Sequence, residues 1–574
     1  MWVVVGRPKG LIAALTAVCV ARGALPTVAQ TTVQARDAPV RAHNSTPGHL
    51  LSIVPGEVSA ALMIRDLAGL DAKLRHLGEQ LGQPVNPYAR AKSWLEVVAG
   101  IHDKGPAAVI LMPAARESAG QRRIAMLLPT DDRAALLRLL SPQQLDDRST
   151  RITLRGHESY AGSKGAFTVF ASSQSTLTSI LDSETNLGEK LALHQKRRAA
   201  YNDVTLWVDV GARSADLLGP LAPPGLRPLV AARHRAAAST RGIQLSARIE
   251  QDGVALELSY KTVGASRAHT IQGVTTTMLR GLPDERFVIA AGTTTGVVAA
   301  KSRSVAESIA ACLSDAGVLD PTRSRELRSA LEHAMSTVEN MAASVSVLPE
   351  EADGTLGVAC VVQTAGKAEE FRSAVESLTR AVKSEAFASE DVNRVLDKLA
   401  YHRAAETDRG ITVDHLVLDP STWDSVSQPT TAKLLGSSGL LIRLGVVGEN
   451  HSVLTIGGGF ERFYEAVRVA RESRAPLASN PGTMMSALGV ARRRWLEAYV
   501  SVDGVVDLVG AVYNAGGTRP DWPEMPETNA PVAMAMHSVR ASVTQVDVFV
   551  PTEALIALKA VVDARAPKVA APQP

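Results

Sequence analysis

The chain has 574 residues, 45% of them hydrophobic and 21% charged. This is a globular composition in a length that exceeds what one hydrophobic core serves, so two or more domains are expected. Aromatic residues make up only 4%, which leaves the cores to Val, Leu, Ala and Ile and argues against stacking platforms for single-stranded nucleic acid. The formal charge of +3 is too small to drive phosphate binding by itself.

At the N-terminus, Arg7 and Lys9 precede an apolar run from Leu11 to Ala21, and Thr27-Val28-Ala29 offers small residues for a cut before Gln30. The pattern predicts a signal peptide over residues 1–29 and an exported product, periplasmic, cell-surface or extracellular. The run is too short for a spanning helix, and Val18 stands where a lipoprotein signal ending at Cys19 has Gly or Ala. Cleavage removes Arg7, Lys9 and Arg22 and leaves 58 basic against 58 acidic side chains, so a nucleic-acid partner is not expected. Of the three cysteines, Cys312 and Cys360 remain, in the apolar contexts "SIAACLS" and "GVACVVQ". They form either a disulfide or two buried thiols, and the contexts favour thiols.

A polar linker over residues 30–50 leads to a strand at 57–64 and a helix carrying Leu67, Leu70, Leu74 and Leu77 at helical spacing. Strands follow at "PAAVILMP" and "RRIAMLLP", then a helix through Leu140 capped by Asp131 or Asp132. "TRITLRG" and "GAFTVFAS" read as strands, with a cap among Ser172 to Ser175 for the next helix. A helix over "NLGEKLALHQKRRAA" enters the strand "DVTLWVDV"; helices across 212–238, a hairpin of "IQLSARI" and "VALELSY", and a helix from Ser266 to Arg280 complete the half.

From "LPDERFVIAAGTTTGVVAAKS" the order returns: strand, helix, the hairpin "AASVSVLP" and "TLGVACVVQ", and a helix from "KAEEFRSAVESLTRAVK". "GVARRRWLEAYVSVDG" echoes "HQKRRAAYNDVTLWVDVG", each with a basic triplet, an aromatic-bearing strand and a closing acid, Asp209 or Asp503. The expected fold is α+β: two homologous halves, 51–280 and 281–565, each a mainly antiparallel sheet of βαββ-type units with helices on one face, the second half carrying loop insertions and a tail at 566–574.

The phrases "VPGEVSAALMIRDLAGL" and "GAFTVFASSQSTLTSIL" resemble those of exported bacterial proteins of unassigned function, in which a Pro-led strand opens the domain and a Gly-led strand runs into a small-residue helix cap. The resemblance implies export and this layout, and brings no activity with it.

Chemical motifs are sparse. Gly457, Gly458 and Gly459 in "TIGGGF" stand between strand and helix without either nucleotide-binding pattern, and read as a turn. His76 and Glu79 in "RHLGEQ" resemble the H-x-x-E-H helix of pitrilysin-type zinc peptidases, but Gln80 replaces the second His, so no zinc site follows. His157-Glu158 and the group Asp414, His415 and Asp419 hold acid-base side chains without diagnostic spacing. The triplets Lys196-Arg197-Arg198 and Arg492-Arg493-Arg494 are expected at helix C-termini. No catalytic, cofactor or metal residue is therefore assigned. Trp423 and Trp522, in long polar insertions, are the candidate partner contacts. The expected role is a non-catalytic exported protein, an interaction or envelope-structural component with a protein or envelope partner. The alternative is a hydrolase or degenerate pitrilysin-like relative with a cleft between its halves.

Overall fold

The computed structural model describes residues 47–94, 99–113, 123–209, 240–262, 273–294, 306–307, 320, 325–349, 351–383, 387, 393, 396–418, 428–437, 439–515, 528–540 and 543–565. The expected signal peptide, the helices at 212–238, the tail, Cys312, Asp419, Trp423 and Trp522 lie outside them. The described residues form two compact units, one drawn from residues up to 263 and one from 264 onward. Helices and antiparallel strands are mixed in both, so the chain is α+β.

In the first unit the elements run α1 (Pro47–Ile53), β1 (Ala60–Ile64), α2 (Leu67–Gln80), α3 (Pro87–Trp94), β2 (Ala107–Leu111), β3 (Ile124–Pro129), α4 (Arg133–Leu137), β4 (Gln143–Gln144), β5 (Ser149–Leu154), β6 (His157–Lys164), β7 (Phe167–Ala171), α5 (Gln174–Leu181), α6 (Leu187–Lys190), α7 (Leu193–Tyr201), β8 (Val204–Val208), β9 (Thr240–Ile249) and β10 (Gly253–Thr262). Side-chain caps set the helix starts: Asp66 accepts from the Gly69 N–H, Asp132 from Ala135, Ser173 from Thr176 and Asn186 from Glu189. Every pairing is antiparallel, in the spatial order β4-β5-β6-β7-β3-β2-β1-β8-β9-β10.

Successive residues of a strand face opposite ways, and here both faces are covered. Ala61, Met63, Ala108, Ile110, Leu127 and Val169 pack under α1, α5, α6 and α7. Ala107, Leu128, Ile152, Ala161 and Phe170 pack under Leu136, Leu137 and Leu140, from α4 and the 3-10 turn Arg138–Leu140 that follows it. All five residues of β7 are buried for that reason. The expectation of helices on one face is thus corrected: a strand buried at every position needs cover on both sides.

The second unit runs β11 (Phe287–Thr293), α8 (Arg325–Ser336), β12 (Val338–Val347), β13 (Leu356–Thr364), α9 (Ala368–Val382), β14 (Leu399–Asp408), β15 (Ile411–Leu418), α10 (Gln428–Leu435), β16 (Leu440–Val447), β17 (His451–Ile456), α11 (Gly459–Arg471), α12 (Pro476–Ser479), α13 (Pro481–Leu488), β18 (Leu496–Val500), α14 (Val502–Ala515), β19 (Val532–Arg540), β20 (Val543–Pro551) and α15 (Thr552–Arg565). Its ladder is β14-β15-β16-β17-β13-β12-β11-β18-β19-β20, again wholly antiparallel. Helices cover both faces here too. Phe371 of α9 packs with Val362 and Leu444, whereas Phe463 of α11 stands over Gly445, the next residue of β16, with its ring 2.5 Å from where a Cβ would sit.

Two further differences from the sequence reading have clear causes. The strand β6 was not foreseen, since "HESYAGSK" carries little apolar alternation. The described part of the expected Ser266–Arg280 helix is not helical: Val274 bridges to Arg494, and Glu497 accepts from the Thr277 hydroxyl and the Met278 N–H at 2.8 and 2.5 Å. That carboxylate ties the irregular segment to β18.

Candidate functional site

The ionisable residues singled out above separate into exposed and structural groups. His76 and Glu79 are exposed on α2, and His157 and Glu158 are exposed on β6. No group of three or more His, Cys, Asp or Glu placed to hold a metal occurs among the described residues. His415 sits beside Glu406, Nε2 to carboxylate 3.1 Å, on the opposite face of β15 from Asp414.

Asp414 is fully buried and saturated. Arg372 of α9 grips it with Nε at 2.5 Å and with Nη2; the Tyr401 hydroxyl and the Ala404 N–H also donate to it. Ala404 has φ +52°, at a bulge where the β14–β15 register shifts between His402 and Glu406. Asp414 therefore fixes a bulge to a helix. Burial raises its carboxyl, but the Arg372, Tyr401 and Ala404 donors outweigh that and hold it below the usual carboxylate range.

Sequence reasoning missed two equivalent pins. Asp203 binds Lys73 at 2.7 Å, Arg65 at 3.3 Å and the Ile249 N–H at 2.9 Å. Glu497 takes Arg494 Nε at 2.6 Å as well as the 277–278 segment. Arg494 is thereby buried at the entry to β18, after α13 has ended, so the second basic triplet does not cap that helix; Arg198 does lie in the last turn of α7. Gly457, Gly458 and Gly459 all have positive φ, and Arg462 lies over Gly458, donating to Glu285 and to the Val358 and Ile456 carbonyls. The triple glycine is a packed strand-to-helix turn.

The remaining surface feature is α13. Asn480 caps it, accepting from the Gly482 N–H, and Pro481 opens it. Its inward face is small and polar: Thr483 is 2% exposed and Ser486 0%, and neither hydroxyl has a hydrogen-bond partner. Its outward face is apolar: Met484 and Met485 are each 55% exposed and Leu488 72%. A helix of a water-soluble surface has the reverse pattern. Arg492 and Arg493, just beyond, are exposed, and neither forms an ion pair among the described residues. On α7, which enters β8 as α13 enters β18, Leu193 and Tyr201 are 55% and 61% exposed around the exposed Arg197, spaced four apart on one helix face.

The fold and this surface define an α+β protein built of antiparallel sheets, in which the carboxylates Asp203, Asp414 and Glu497 serve the fold and the exposed apolar side chains of α13 do not. No protein-family model matches the chain. No curated protein matches it. Among solved structures it is similar to TP0453: crystal form IV at 12% identity and TM-score 0.24, covering 37% of this chain and 79% of that one, and crystal form III at 13% identity and TM-score 0.24, covering 38% and 80%. A likeness at that score carries no argument about activity. No helix among the described residues is long and apolar enough to cross a membrane.

Proposed function

We propose that the chain is an exported, non-catalytic protein of two homologous halves that works by surface contact, as an interaction or structural component of the bacterial envelope. The observation that carries this reading is the inverted helix α13. Exposing Met484, Met485 and Leu488 while burying Thr483 and Ser486 costs folding free energy, and an apolar face kept outward at that cost is the mark of a contact surface. Export is supported by the charged, apolar and small-residue succession of residues 1–29.

Three details support the homology of the halves. The two ladders have the same order, strand for strand. Gly162 of β6 lies under Leu177 of α5 as Gly445 of β16 lies under Phe463 of α11. Arg133 of α4 donates to Thr150, and Arg372 of α9 to Asp414, at positions that match when β5 and β15 are aligned through their neighbours.

The test is fractionation of the source bacterium. The mature chain should begin at Gln30 and be retained by the isolated envelope fraction. A chain that keeps residues 1–29 and stays with the cytosol would defeat the proposal.

A further inference from the structure

Resting on the contact-surface reading, and going beyond it to the occupant, we infer that the outward face of α13 seats on an anionic lipid surface. The side chains are of the right kind: two unbranched thioethers and an isobutyl group, able to enter the boundary of an acyl layer without imposing a fixed shape. The charge that follows is of the right sign: Arg492 and Arg493, four and five residues past Leu488, are exposed with no carboxylate partner among the described residues, Arg493 also donating from Nε to the Gly273 carbonyl. α7 repeats the chemistry with Leu193, Arg197 and Tyr201.

A second copy of the chain fits less well. Pairing α13 with itself would bring together four arginines that have no carboxylate partner among the described residues. Three apolar side chains also fall far short of the roughly 800 Å² per partner that a stable dimer buries. Insertion across the bilayer is not implied: α13 is an eight-residue helix, and its inner face packs on β19 and β20, with Gly482 against the Asn529 carbonyl just before β19 and Gly489, just past the helix, against the Phe549 ring of β20.

Methionine oxidation reads the contact directly and does not depend on a variant folding. The full mature chain is treated with dilute peroxide, and sulfoxide is measured peptide by peptide. The treatment is done in buffer, with phosphatidylcholine vesicles, and with vesicles containing phosphatidylglycerol. Met341, 40% exposed on β12, is the internal control. Oxidation of Met484 and Met485 should fall several-fold with phosphatidylglycerol vesicles only, while Met341 is unchanged. Replacing both arginines, Arg492→Glu with Arg493→Glu, should abolish that protection in a chain whose circular dichroism is native. Absence of protection by phosphatidylglycerol overturns the inference, as does equal protection by phosphatidylcholine. Protection that grows with protein concentration in buffer assigns the face to a second copy and also overturns it. Retention by the envelope fraction without vesicle protection assigns it to a protein partner, so the lipid inference falls and the contact-surface reading stands. Failure of both measurements ends both.

Discussion

Asp414 has no exposed side-chain surface yet is held in its charged form, because Arg372, Tyr401 and the Ala404 N–H together outweigh the cost of burial. Its folded pKa lies below the ordinary 3.8. The stability it contributes is therefore complete above that value and lost as pH falls through the depressed folded one. Asp414→Asn should cost about 3 kcal/mol at pH 7 by leaving Arg372 buried against a neutral partner. In denaturant titrations the gap to the unsubstituted chain should narrow below about pH 4; a gap that does not change with pH would refute the ion-pair account. Cys360 tests burial without a partner. It carries a free thiol packed against Val338, Val362, Phe371 and Leu444, and burial pushes it up to about 12. Alkylation at pH 8 should be slow in the native protein and fast in denaturant, and rapid native labelling at Cys360 would contradict that packing. The apolar setting of Cys360 was legible in the sequence, since "GVACVVQ" reads as a core strand. The role of Asp414 was not, because its partner comes from a different helix and nothing in local spacing announces an ion pair across such a separation.

At the scale of the element, strands and caps were the most legible parts. Short apolar runs bounded by turn residues located β2, β3, β5, β7 and β8, and Asp132 and Ser173 cap the helices for which they were considered. The strand β6 and the irregular stretch before β11 escaped notice because tertiary partners, rather than their own patterns, determine them. The equation of Asp209 with Asp503 also needs correction. Asp209 and Ser501 follow their strands in the same way, donating N–H to Ser59 and Val288, whereas Asp503 lies further on and accepts from Thr528. The inversion of α13 was invisible: "PGTMMSAL" has an apolar stripe that sequence reasoning would turn inward. What prevents the turn is glycine. A Cβ on Gly482 would fall on the Asn529 carbonyl oxygen, and one on Gly489 would enter the Phe549 ring. The helix therefore lies too close to β19 and β20 to roll a methionine beneath itself. Gly482→Ala should lower stability by about 1–3 kcal/mol, while Gly510→Ala, in α14 with open space around the added methyl, should raise it by about 0.5–1 kcal/mol. Thermal melts of the two variants that moved the same way would disprove the close-packing argument.

For the whole molecule, the two aromatic-bearing segments that follow the basic triplets are strands, β8 and β18, each paired with the strand that comes first in its unit among the described residues, β1 and β11. The order of the strands within each sheet needed three-dimensional pairing, since strands adjacent in space, such as β1 and β8, lie far apart in the chain. The ladder order also bears on the time course of folding. Among the described residues Ala60–Ile64 is the first strand of its unit to be made, and it sits in the middle of its sheet, with β2 on one edge and β8 on the other; β11 stands likewise between β12 and β18. One edge of each opening strand finds its partner soon after synthesis, while the other waits until nearly the whole unit has emerged. During that interval the central strand presents a naked row of amides and carbonyls, open to pairing with any neighbouring chain. A chain built on this order depends on being kept apart from its own copies until β8 and β18 arrive.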